Sequence, residues 1–285
     1  MISRPVFAAL AVLLFCGPAG AVSILNEATQ NCRFNGDPDV KIARCSEIIP
    51  NPYFISLQRA YLERSFGFYR KGDLAHAFAD CDNAAHAPVD TPQAGEICRA
   101  YYGLAANDLQ RAVSGFSMLA AGIPRYFLYH LMLGISEFYA GRADQALDDV
   151  RRAADLDHQN LYAMLWVHII EGRIGGTSTL GERSKYLRLN RWPAPIVRMI
   201  LGEISRDDAL NQAMQSYSTT RALKLCEIDF YGGQNALIMG HRDEAKRLLG
   251  SAAATCVPEM DFTNWWPGFI EREAAGRDRG TLDRR

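Results

Sequence analysis

The stretch FLYHLMLGISEFYAGRADQALDDVRRAADLDHQN, residues 127–160, decides the fold. Its apolar residues recur every three or four positions on both sides of Gly141, which predicts two amphipathic helices joined by a short turn. The second helix contains Ala146, and this alanine belongs to a longer pattern. Ala112 precedes Ala146 by 34 residues, and Ala77 precedes Ala112 by 35 residues. A period of this length predicts an array of stacked helical hairpins.

Other positions repeat in phase with these three alanines. Five residues before each alanine stands a residue that tolerates a left-handed backbone conformation, as a helix-ending turn requires. Twelve residues before each alanine stands a small residue, which lets the two helices of a hairpin approach closely. The turn positions are Gly72, Asn107 and Gly141, the small positions are Ser65, Ala100 and Gly134, and the core positions seven residues after the alanines are Ala84, Leu119 and Ala153.

This spacing resembles that of the tetratricopeptide repeat proteins. The resemblance implies an all-α fold, an α-solenoid of helix-turn-helix repeats with about 10–13 helices. Three repeats are predicted at residues 58–92, 93–126 and 127–160. A further hairpin is predicted at 226–258, where Gly233, Gly240, Ala245, Leu249 and Ala252 take the corresponding positions.

The segments around these repeats follow the pattern less closely. Residues 22–57 are predicted to form an N-terminal helical segment, and residues 161–225 a degenerate repeat with linker helices, one of them from about Ile196 to Gly202. Ser205 is predicted to cap the helix that follows it. Residues 259–285 are predicted to form a C-terminal helix and polar tail. Since EREAAGRDRGTLDRR lacks an apolar face, we expect a frayed helix end and a mobile tail there.

Residues 1–21, MISRPVFAALAVLLFCGPAGA, have the layout of a secretory signal peptide. One basic residue precedes an apolar run, and a small-x-small motif predicts cleavage after Ala21. A membrane anchor is the alternative, but a span needs roughly 20 apolar residues. Lipidation of Cys16 is a second alternative, and Phe15 stands where a lipid-attachment signal needs a small residue. The expected location is therefore periplasmic or secreted, without a lipid anchor.

Two stretches resemble a narrower family, the NlpI-like tetratricopeptide proteins of proteobacteria. They are WPAPIVRMILGEIS followed by CEIDFYGGQNALIMGHRDEAKRLLGSAAATCVP, and the cysteine-bracketed CRFNGDPDVKIARCSEII near the N-terminus. The resemblance implies a periplasmic adaptor that docks an envelope protease or a peptidoglycan hydrolase.

Six of the seven cysteines follow the predicted signal peptide, and an even number in an oxidising compartment predicts disulfides. In the repeat numbering, Cys226 and Cys256 lie at the open end of one antiparallel hairpin. Cys81 faces the next hairpin, which carries Cys98. The predicted pairs are Cys32–Cys45, Cys81–Cys98 and Cys226–Cys256. The alternative is that one pair stays reduced and buried.

The first helix of each repeat is expected to line a concave, aromatic surface that binds an extended or helical peptide. Two alternatives stay open: a homodimer interface that makes the chain a self-associating scaffold, or packing against the Cys32–Cys45 segment. The predicted groove residues are Arg59, Leu62, Phe66, Tyr69, Arg70, Ile97, Tyr101, Leu104, Leu131, Ile135, Phe138 and Tyr139.

Catalytic, metal and nucleic-acid functions are not expected. With 31 basic and 32 acidic residues, the chain lacks the basic excess of a nucleic-acid-binding protein. The six histidines show no zinc spacing, and no nucleophile–base pair is evident in the sequence. The glycine-rich GRIGGTSTLGE, residues 172–182, lacks the lysine of a phosphate-binding loop and is interpreted as a turn. We therefore expect no enzyme, no cofactor and no metal.

Overall fold

The computed structural model describes residues 27–50, 55–88, 91–256 and 267–284. These residues form fifteen helices and no strands. The predicted signal peptide lies outside the described residues. The helices are α1 (27–34), α2 (Pro38–Ile48), α3 (Leu57–Arg70), α4 (Leu74–His86), α5 (Ala94–Ala105), α6 (Leu109–Gly122), α7 (Phe127–Tyr139), α8 (Ala143–Leu156), α9 (Leu161–Arg173), α10 (Leu180–Ser184), α11 (Ala194–Ile200), α12 (Arg206–Met214), α13 (Ser218–Ile238), α14 (Arg242–Thr255) and α15 (Pro267–Asp283).

Helices α3 to α8 pair in sequence order as three hairpins, and α13 pairs with α14 in the same way. The turn residues have the left-handed conformation that the sequence predicts, with φ angles of 77° at Gly72, 58° at Asn107, 78° at Gly141 and 77° at Gly240. Most residues adopt this conformation only at a cost, because the Cβ atom crowds the backbone. Glycine avoids the cost because it has no Cβ, and Asn or Asp can offset it with a local side-chain hydrogen bond. These residues therefore end the first helix of each hairpin.

Close packing explains the small residues of the repeat. A Cβ atom added at Gly134 would lie 2.7 Å from Val150 Cγ1 and 2.8 Å from the Ala146 carbonyl oxygen. Ala77, Ala112 and Ala146 are all fully buried. Because protein interiors are close-packed, larger residues at these positions would separate the paired helices. The main core formed in this way is continuous from α3 to α15.

The N-terminal segment packs against the first hairpin. Lys41 of α2 and Glu63 of α3 form a buried ion pair of 2.6 Å. The Lys41 ammonium also donates to the carbonyl oxygens of Cys32 and Arg33, so this buried charge is well satisfied. Cys32 and Cys45 lie in a second, smaller core cluster, which also contains Ala60 of α3.

The structure joins the same three cysteine pairs that the sequence predicts. The Cα–Cα distances are 4.8 Å for Cys32–Cys45, 5.5 Å for Cys81–Cys98 and 5.1 Å for Cys226–Cys256, within the range that disulfide geometry requires. The first bridge ties α1 to α2, the second links α4 to α5, and the third closes the open end of the α13–α14 hairpin.

Several predicted bounds need correction. The described residues contain fifteen helices rather than 10–13, because the 161–225 region breaks into short helices such as α10, which has five residues. Helix α13 begins at Ser218, eight residues before Cys226. The Ser205 cap is confirmed: its side chain accepts the Asp208 N–H, and the Asp208 carboxylate accepts the Ser205 N–H.

The predicted C-terminal helix is present, but the expectation of a frayed end and a mobile tail was wrong. Residues 271–283, which were expected to fray and form a mobile tail, belong to the continuous helix α15. This helix does have a buried face. That face carries Phe269, Ile270, Ala274 and Ala275 together with the carboxylates of Glu271 and Asp278. A search of the sequence for large apolar side chains misses this buried face. In the C-terminal half of α15 the face consists of alanines and of a carboxylate, Asp278, whose partners lie on helices far away in the sequence.

Candidate functional site

Helix α15 lies along one side of the molecule formed by the first helices of successive hairpins. Its side chains contact α3, α5, the turn after α5, α7, α9 and α13, and the helix packs most extensively against α14, where Lys246 pairs with Asp283 at 2.5 Å. We use the name α15 groove for the part of this contact outside α14, and define it by seven residues: Tyr69, Tyr101, Asn107, Tyr139, Arg173, Tyr231 and Gln234.

One end of the groove is aromatic. The fully buried ring of Phe269 lies 5.4 Å from the ring of Tyr69 and 5.8 Å from the ring of Tyr101, measured between centroids. The Tyr101 contact is edge to face, an arrangement that the ring quadrupoles favour. The Tyr69 hydroxyl, at 2.7 Å, donates to Glu273 one helical turn further along α15. This end therefore holds α15 through an apolar anchor and a hydrogen bond to a carboxylate.

The other end is polar and centres on Asp278, which is 4% exposed. Its carboxylate accepts from the Tyr139 hydroxyl at 2.8 Å and from Gln234 Nε2 at 2.6 Å, and pairs with Arg173 Nη2 at 3.1 Å. The Arg173 guanidinium also lies 5.4 Å from the centre of the Phe138 ring. A buried carboxylate is tolerated only when it is paired and hydrogen-bonded, and Asp278 is both.

Between these ends two carboxyl groups are fully buried, Glu271 of α15 and Glu227 of α13. Burial raises the pKa of Glu227 to about 7, although hydrogen bonds from Trp192 and Tyr162 partly oppose that shift. Burial, reinforced by the charge of Glu227, raises the pKa of Glu271 well above that of an ordinary glutamate. Tyr231 donates to one oxygen of Glu271 at 2.9 Å, whereas the other has no hydrogen-bond partner among the described residues. This part of the α15 contact is electrostatically unfavourable when both groups are ionised.

The apolar and aromatic residues predicted to line the groove fall into three groups. Tyr69, Tyr101 and Tyr139 contact α15 directly, and Phe138 contacts it through Arg173. Ile97 is half-buried against the main core. The others on the first helices are buried in that core, so they support the surface without forming it. These buried residues are Leu62, Phe66, Leu104, Leu131 and Ile135.

The two predicted cations bond to their own chain. Arg59 pairs with Glu63 at 2.7 Å, within the network that includes Lys41. Arg70 donates to the carbonyl oxygen of Gly36, next to the N-terminal segment. Packing of the predicted groove residues against the Cys32–Cys45 segment was one of the alternatives left open. That segment does contact the end of the predicted groove that carries Arg59 and Arg70.

A serine, a histidine and an asparagine meet where the sequence showed no nucleophile–base pair. His168 Nδ1 lies 2.7 Å from Ser178 Oγ, and His168 Nε2 lies 3.2 Å from Asn235 Oδ1. Burial lowers the pKa of His168, so the neutral imidazole is favoured. Ser178 is only ten residues from His168, but it lies in the turn after α9, and no sequence motif indicates that this turn folds back onto the helix; Asn235 is 67 residues from His168.

The surroundings of Ser178 favour a structural role for it. Its Oγ also accepts the Leu180 N–H at 3.2 Å, and the next amide, Thr179 N–H, donates to Glu171 at 2.7 Å. An oxyanion hole needs backbone donors aimed at the reacting atom, and both of these donors already have acceptors within the protein. The contacts hold residues 174–180 against α9 and α13, which agrees with interpreting GRIGGTSTLGE as a turn.

No family model matches the chain. The described residues contain no cluster of three or more potential metal ligands. Within the same part of the chain, none of the helices has the length and apolar character needed to cross a bilayer.

Proposed function

We propose that this protein is a non-enzymatic helical scaffold that binds another protein through the α15 groove. A single observation carries the proposal: the first helices of the hairpins already hold one helix, α15, through side chains at positions predicted to face a partner. Tyr69, Tyr101 and Tyr139 make these contacts. Helix-in-groove binding is a common mode of peptide recognition, and aromatic anchors commonly dominate its energy.

The proposed setting is the bacterial cell envelope. Three disulfides favour an oxidising compartment, and the signal-like N-terminus favours export. The resemblance to NlpI-like tetratricopeptide proteins suggests that the partner is an envelope protease or a peptidoglycan hydrolase, with this chain as its adaptor. The alternative is a self-associating scaffold in which a second copy covers the same surface.

Affinity capture from an envelope fraction tests this proposal. Phe138→Ala removes a half-buried ring beside Arg173, whereas Met118→Ala removes a side chain on α6 that is 57% exposed, away from the groove. Recovery of a stoichiometric partner should fall at least tenfold with Phe138→Ala and stay unchanged with Met118→Ala. Equal recovery with both variants would contradict binding through the groove. Light scattering after size exclusion separates the alternative, since a dimer lost with Phe138→Ala would identify a second copy as the partner.

A further inference from the structure

Trp192 lines two neighbouring cavities at the molecular surface, and neither cavity includes a residue of the α15 groove. The first has a volume of about 390 Å³ and lies between the loop before α11 and the start of α9. The second has a volume of about 470 Å³ and lies among that loop, α11, α12 and α13. Cavities of this size suit a small molecule. The indole N–H of Trp192 donates to the fully buried Glu227, so the ring is held in place from within the protein.

The second cavity concentrates positive charge. The described residues that line it include three cations and no carboxylate, although the whole chain has a net charge of −1. Arg191, which also lines the first cavity, is exposed, and its side chain makes no hydrogen bond or ion pair with the described part of the chain. Arg198 lies 3.9 Å from Glu203, at the outer limit of an ion pair. Both guanidinium groups are therefore available to an anion.

The third cation, Lys224, lies against the indole. Its ammonium is 5.0 Å from the centre of the Trp192 ring and donates to the neutral Ser216 hydroxyl at 2.8 Å. Glu227 is the carboxyl group that holds the ring, and burial raises its pKa to about 7, although hydrogen bonds from Trp192 and Tyr162 and the charge of Lys224 oppose that shift. Glu227 is therefore only partly ionised near pH 7, and it offsets the three cations incompletely.

Amide side chains complete the polar lining of the second cavity. Asn190, Gln212 and Gln215 are exposed there, and none of them forms a side-chain hydrogen bond with the described residues. An amide can both donate and accept, as a hydroxyl group can, whereas a guanidinium or ammonium group only donates. The lining therefore matches a ligand that combines a negative charge with hydroxyl groups.

We propose that the second cavity binds a small hydroxylated anion, such as a sugar that carries a carboxylate or a phosphate. The three cations bind the charged group, since hydrogen bonds between ionised partners are stronger than neutral ones. The amides bind the hydroxyl groups beside Trp192. This inference is independent of the proposed function, because the lining of the cavity shares no residue with the α15 groove.

Isothermal titration calorimetry with the oxidised full chain tests the ligand chemistry. Galacturonate and glucose 6-phosphate are the acidic probes, galactose and glucose are their neutral counterparts, and acetate and inorganic phosphate are the corresponding bare anions. At least one acidic sugar should bind saturably, and at least tenfold more tightly than both its neutral counterpart and its bare anion. The tighter of the two identifies the charged group. No saturable binding of either acidic sugar, or equal binding of a neutral sugar or a bare anion, would overturn the inference.

Two variants test the location of the site. Arg191→Gln removes an exposed cation of the cavity and should weaken binding of the acidic sugar at least tenfold. Arg247→Gln is the matched control, because Arg247 is an exposed arginine on α14 that lines neither cavity, and it should leave the affinity unchanged. Equal effects of the two changes would overturn the assignment. Circular dichroism checks folding, and if Arg191→Gln fails to fold, Lys224→Gln is judged by the same criterion.

Discussion

Replacement of Phe269 by alanine should release α15 without unfolding the protein. The ring is fully buried and contacts Tyr69 and Tyr101. Phe→Ala changes in protein cores cost about 3–5 kcal/mol. We take the lower value, about 3 kcal/mol, as the conservative one. At about 1.4 kcal/mol per factor of ten, the open form of α15 becomes more populated by roughly two orders of magnitude.

Amide hydrogen exchange resolved by peptide or by residue is the appropriate assay. Amides within residues 270–283 should exchange about 100-fold faster in Phe269→Ala, while those of α7 and α8 keep their wild-type rates. Thr281→Ala, at an exposed position of the same helix, is the control and should leave the exchange of α15 nearly unchanged. Wild-type exchange of α15 in Phe269→Ala, or equal acceleration throughout the protein, would refute an independently docked helix.

Three further predictions test other parts of the fold. Because the pKa of Glu271 is raised in the folded protein, its contribution is greatest at acidic pH and is lost as the pH rises through that raised value. Urea melts at several pH values should show this loss, and Glu271→Gln should flatten the profile; an unchanged profile would contradict the burial of this carboxyl. Changing both Cys226 and Cys256 to alanine opens a loop whose ends are 30 residues apart in sequence, and this should lower the free energy of unfolding by about 3 kcal/mol. Chemical denaturation measures this loss, and an unchanged free energy of unfolding would argue against the disulfide. Gly141→Ala should lower the free energy of unfolding by about 1 kcal/mol, because Gly141 has a φ of 78° that alanine adopts only with strain. Gly276→Ala, on the exposed side of α15, is the control and should not lower it. Equal effects of the two changes would rule out the left-handed turn at Gly141.

The hairpins were predictable because their determinants are local and repeat. Gly72 and Asn107 are required by the backbone of their own turns, and Ala77 and Ala112 by helix neighbours a few residues away in the chain. The same local logic identified Ser205 as a helix cap. Such signals survive in a single sequence because each depends on one or two nearby residues.

The contacts that define the site were not predictable because their partners are distant in sequence. Glu273 meets Tyr69 across 204 residues, and Asp278 meets Tyr139 across 139 residues. In isolation, a carboxylate on a polar helix is most simply assigned to solvent. Only the assembled fold brings it beside a buried hydroxyl, so the sequence predicted the aromatic side of the groove and missed its occupant.

Site-specific photo-crosslinking in the producing cells tests the central claim most directly. A benzophenone side chain in place of Phe138 reports contacts beside Arg173 and Asp278, and the same group in place of Tyr186, which is 81% exposed, reports contacts elsewhere. The account predicts adducts of position 138 both with the protein's own α15 and with a second polypeptide, and no such second adduct at position 186. Adducts with another polypeptide at position 186 but only intramolecular adducts at position 138 would contradict it.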